Sequence, residues 1–90
     1  MARYEVETTR KRPDIFLRAE RYFGLDGLGL HLLNHDPTSA TWRGGGGTVT
    51  LIVTPGDRKT MVEVEAVEWD RAAKRFIRKV STPFWRRLVP

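Results

Sequence analysis

The stretch that decides the fold is residues 48–80, "TVTLIVTPGDRKTMVEVEAVEWDRAAKRFIRKV". Its first third alternates: Val49, Leu51 and Val53 fall on one side, Thr48, Thr50, Ile52 and Thr54 on the other. That period of two belongs to a half-buried strand. "PGD" at 55–57 is a turn signal, and the chain returns with Val62, Val64 and Ala66 inward and Glu63 and Glu65 outward. Then the period changes. Trp69, Ala72, Ala73, Phe76, Ile77 and Val80 recur at i, i+3, i+4, i+7, i+8 and i+11, with charged residues between them. This predicts an amphipathic helix. Asp70 at its start and Arg78 and Lys79 near its end suit the helix dipole. A hairpin with one oily face, followed by a helix with one oily stripe, predicts a helix lying on a sheet.

The same reading extends outward. "ARYEVETT" at 2–9 alternates and predicts a strand with Tyr4, Val6 and Thr8 on one side. "RPDIFLRAERYFG" at 12–24 predicts a helix led by Pro13 and stopped by Gly24, with Ile15, Phe16, Ala19, Tyr22 and Phe23 on one face. "LHLLNHD" at 30–36 and "SATWRGG" at 39–45 predict two further strands. The fold class is therefore α+β: a curved antiparallel sheet of about five strands with two helices packed on one face, in the order β-α-β-β-β-β-α. Residues 1–82 form a single domain, and 83–90, "PFWRRLVP", form a C-terminal tail.

Composition sets the bounds. Ninety residues support one core. There is no cysteine, so disulfides and thiolate metal sites are excluded. The cysteine-free composition suits a reducing, cytoplasmic setting. No apolar run reaches the roughly 20 residues that span a bilayer, and the charged N-terminus does not read as a signal peptide. The net charge of +5 permits anionic partners without requiring them.

The order of elements resembles the β-α-β4-α arrangement of the TATA-binding-protein-like fold. It also resembles, as a short member, the polyketide cyclase/START-type helix-grip superfamily. The residues that carry the likeness are "YEVETT" at 4–9, "RPDIF" at 12–16, residues 44–70, and "RFIRKV" at 75–80. The resemblance implies that the first strand lies beside the fifth, and that any ligand would be small, apolar and held between the C-terminal helix and the sheet. The chain is too short for the extra strands of a full helix-grip domain. The resemblance carries the fold and no functional residue.

Candidate sites divide by chemistry. The run Gly44–Gly47 lacks the lysine and following helix of a phosphate-binding loop, so it reads as a hairpin or bend. His31 and His35, on one face of a strand, stand about 13 Å apart at ~3.3 Å per residue, too far to share a zinc ion. No metal or cofactor is expected. Glu5, Glu7, Glu63 and Glu65 fall on the open sheet face, with Arg3 and Arg43 as counter-charges, and read as a solvated charged face rather than an acid–base pair.

Three functions fit. The first is a domain binding a small apolar ligand, with Tyr4 and Trp42 as lining residues. The second is an interaction or homo-oligomerisation module. Phe84, Trp85, Leu88 and Val89 in the tail, and Leu33, Ile52 and Val67 on the sheet, supply apolar surface for a homodimer. The third is a basic nucleic-acid-associated protein acting through Arg75, Arg78 and Lys79. Catalysis has the least support, with no nucleophile–base pair in the sequence.

Overall fold

A computed structural model of the chain describes residues 2–81. The elements are β1 (Ala2–Thr8), α1 (Arg12–Phe23), β2 (His31–Asp36), β3 (Ser39–Gly44), β4 (Gly47–Pro55), β5 (Thr60–Val67) and α2 (Asp70–Val80). They build one five-stranded antiparallel sheet in the order β1-β5-β4-β3-β2. The first strand thus lies beside the fifth, in the register Tyr4↔Val64 and Val6↔Val62. The tail residues Phe84, Trp85, Leu88 and Val89 lie outside the described residues, as do Arg86 and Arg87.

Both helices lie on the same face. α2 packs over β1 and β5, and α1 over β4. Val49, Leu51 and Val53 meet Val62, Val64 and Ala66 across the sheet, and Ile15, Ala19, Phe23, Ala73, Phe76 and Val80 close the layer from above. All these residues are buried. Phe23 sits 5.1 Å from Phe76 and 5.5 Å from Trp42 between ring centroids, so one aromatic links both helices to β3.

The glycines form the β3–β4 hairpin. Gly44 pairs with Gly47, and Gly45 (φ 57°) and Gly46 (φ 81°) make a two-residue loop of left-handed residues, the geometry that suits the strand twist. Gly45 has a second constraint: a Cβ there would lie 2.7 Å from the ring of Trp69.

Trp69 precedes α2 instead of opening its stripe. It is the N-cap residue, and its indole N–H donates to the Gly44 carbonyl at 2.7 Å. Periodicity grouped it with the helix because its ring does pack against the core.

One expectation about β2 is overturned. The ladder to β3 shifts register between Leu32 and Asn34, a β-bulge at Leu33. His31 therefore pairs with Arg43 and His35 with Ala40. Ala40 is buried on the helix side, whereas Arg43 is exposed on the open side. The two histidines occupy opposite faces, because one extra residue inverts every side chain after it.

Candidate functional site

The sheet is wider than the helix layer. α1 ends its cover near β4, and β2 extends beyond it with all six residues exposed. The step between α1 and the β2–β3 hairpin leaves a half-open groove of about 390 Å³. Its α1 wall is Arg12, Pro13, Phe16 and Glu20; its floor includes Leu32, His35, Ala40 and Trp42; Asp36 and Pro37 close one end. The helical period explains the wall, since positions 12, 13, 16 and 20 follow one another around the flank of α1. Bulge and pleat together explain the floor, turning Leu32 and His35 upward beside Trp42 and Ala40.

Trp42 is the fixed point of the groove. It is 1% exposed, and its indole N–H donates to Glu20 Oε2 at 3.0 Å. A buried indole needs such an acceptor. Glu20 looks like an ordinary outward-facing helix residue in the sequence. The long-range partner that gives it a role becomes visible only in three dimensions.

Asp36 is equally committed. One carboxylate oxygen accepts the backbone N–H groups of Thr38 (2.8 Å) and Ser39 (2.9 Å), and the two hydroxyls bond the carboxylate as well. These bonds, the Thr38 backbone N–H foremost and the Ser39 hydroxyl next, hold the carboxyl below its ordinary range. The side chains of Arg12 and His35 enter no hydrogen bond or ion pair among the described residues, whereas the rim acids Glu20 and Asp36 are both engaged.

The remaining sequence candidates fall elsewhere. Tyr4 is half-buried on β1, three strands from Trp42, and takes no part in the groove. The space beneath α2 is filled by Ala73, Phe76 and Val80, so the groove lies beside α1. Three of the four open-face acids cluster, and among the described residues they do so around Arg3: it reaches Glu63 at 2.8 Å, Glu5 at 3.7 Å and Glu65 at 3.9 Å. Arg43 pairs with Thr48 and His31 and stands apart from them. Among the described residues no group of three His, Asp or Glu side chains converges as a metal site would require.

Arg75, Arg78 and Lys79 lie exposed on the outer side of α2. The Lys79 ammonium sits 4.8 Å above the Tyr22 ring, beside a shallow cleft that Arg18 and Arg21 also border. No helix among the described residues is long and apolar enough to cross a membrane.

No protein-family model matches the chain, and no curated protein sequence matches it either.

Proposed function

We propose that the protein is a non-catalytic domain that binds a small amphiphilic molecule in the groove between α1 and the β2–β3 hairpin. The observation that carries this reading is the division of labour around Trp42. Phe16, Leu32, Ala40, Pro13 and the Trp42 ring offer an apolar bed. The two rim acids are occupied by Trp42 and by the Asp36 turn, which leaves Arg12 and His35 as the polar groups available to a ligand. An apolar body with one anionic or accepting end fits such a site. Ligand sites commonly have roughly 300–1,000 Å³ and few convergent polar groups, and the groove falls within that range at about 390 Å³. The likeness in element order to helix-grip domains, which hold apolar ligands against a sheet, adds an analogy at the level of fold.

The test is an amide and indole NMR titration with octanoate, with octanol as the neutral comparison. Octanoate is expected to shift the Trp42 indole, Leu32, His35 and Ala40 and to bind more tightly than octanol. Arg12→Ala should remove that difference. Absence of shifts at millimolar octanoate, or shifts confined to the outer face of α2, would overturn the reading.

A further inference from the structure

The outer edge of β2 meets no other strand among the described residues. An open edge invites pairing, and proteins usually guard one with charge or cover. The other edge, β1, is guarded: Arg3, Glu5 and Glu7 line its open side, beside Glu63 and Glu65. Two β1 edges brought together would add acid to acid. β2 carries the opposite character. Of the seven large apolar residues exposed among the described residues, Leu17, Leu25, Leu28, Leu32 and Leu33 come from α1, β2 and the loop between them.

We propose that β2 pairs antiparallel with β2 of a second copy, across a two-fold axis normal to the sheet and passing between Leu33 and Asn34. An axis in that direction is the one that sets identical edge strands antiparallel while keeping both helix layers on the same side. The register is self-complementary. His31 meets Asp36 of the second copy, and Leu32 meets its His35. Residues 31 and 36 are an odd number apart, so in a regular strand they would face opposite ways. The bulge at Leu33 corrects this. His31 and Asp36 both lie on the open face, paired with Arg43 and Ser39, while Leu32 and His35 both lie on the helix side, paired with Trp42 and Ala40. The irregular step at Leu33 then falls at the axis, and the regular pairs flank it. Charge agrees as well: each Asp36 comes to rest beside His31 of the other copy, with that copy's Arg43 on the next strand.

The pairing yields a ten-stranded sheet with four helices on one side. The two grooves then face each other across the seam, and Leu32 and His35 of each copy continue the floor of the other. The pairing itself rests on the strand edge; only this shared floor rests on the ligand reading above.

The test is sedimentation velocity on the full chain across a concentration series reaching about 1 mM, where a dimer with Kd about 1 mM is still well populated. Wild type is expected to shift from monomer to dimer, and Leu33→Lys to stay monomeric with unchanged thermal melting, since Leu33 is already 53% exposed. The cysteine-free chain allows a second readout independent of that variant. Leu33→Cys should form a disulfide-linked dimer under mild oxidation well before Glu7→Cys on the other edge. A wild type that stays monomeric throughout the series, a dimer that survives Leu33→Lys, or equal cross-linking at both edges would overturn the proposal. Octanoate titrated into Leu33→Lys separates the two readings. Binding retained at full strength by a monomer keeps the groove and removes the shared floor, whereas loss of octanoate binding in a wild type that still dimerises removes the groove and leaves the seam.

Discussion

The Trp69 indole N–H donates to the Gly44 carbonyl oxygen at 2.7 Å, and the same ring covers Gly45. One side chain thereby ties the start of α2 to the tip of the β3–β4 hairpin, 25 residues earlier in the chain. Gly45→Ala introduces both a left-handed alanine and a Cβ 2.7 Å from the Trp69 ring; Gly46→Ala, with open space around it, introduces only the first. Left-handed backbone costs an L-residue about 1–2 kcal/mol. Gly46→Ala is expected to lose about that much in denaturant unfolding, and Gly45→Ala clearly more. Equal losses would show that the Trp69 contact is unimportant.

Removing the acceptor beneath Trp42 should also be felt. Glu20→Ala strands a buried indole donor, at a cost of about 1–3 kcal/mol. Glu20→Gln keeps a carbonyl acceptor and should lose markedly less. Chemical denaturation followed by Trp42 fluorescence, in a chain whose other tryptophans are Trp69 and Trp85 replaced by Phe, reads the difference.

Glu68, between β5 and α2, is the non-glycine residue with positive φ, at 69°, among those described. Glycine adopts that conformation without a Cβ penalty, though it gives up entropy in the unfolded chain. Glu68→Gly is expected to raise stability by roughly 0.5–1 kcal/mol, and Glu68→Val to lower it. A melting temperature that falls in the glycine variant would contradict the assigned backbone.

Acid should loosen the β2–β3 turn. The Asp36 carboxyl lies below its ordinary value of 3.8 because Thr38 and Ser39 hydrogen-bond its ionised form. A carboxyl depressed in the folded state contributes stability above the unfolded pKa and loses it as pH falls through the folded one. Asp14 behaves alike: burial raises its pKa, but hydrogen bonds from Arg18 and Arg10 outweigh that and lower it. Stability is therefore expected to fall below pH 3.8, and Asp36→Asn should flatten part of that slope. An Asp36→Asn profile parallel to wild type would remove Asp36 from the account.

The outer face of α2 separates general anion affinity from the groove. Changing Arg75, Arg78 and Lys79 together to Glu should abolish any salt-sensitive retention on heparin and leave octanoate binding unchanged. Octanoate binding that disappears with retention would place the ligand on this face, and the apolar groove would lose its role.

The elements were legible because each one's apolar spacing is local information. Val49–Val53 and Val62–Ala66 announce strands, and the stripe to Val80 announces a helix, whatever surrounds them. The open-face acids followed from the same alternation. His31 and His35 were misplaced because alternation assumes one residue per step, and a bulge breaks that assumption without any residue in "HLLNHD" that demands it. Tyr4 and Trp42 read alike as aromatics near a sheet, yet the strand order sets two strands, β5 and β4, between theirs. Sequence proximity holds no record of that order.

The sequence by itself determined the α+β class, the element order and, outside β2, which face of each strand and helix is buried, because those depend on side-chain periodicity along one segment at a time. Tertiary structure alone decided that β2 overhangs the helix layer, that Glu20 reaches Trp42, and that the groove lies beside α1 and not beneath α2. Those are relations between distant segments, set by how the widths of two layers match once they pack.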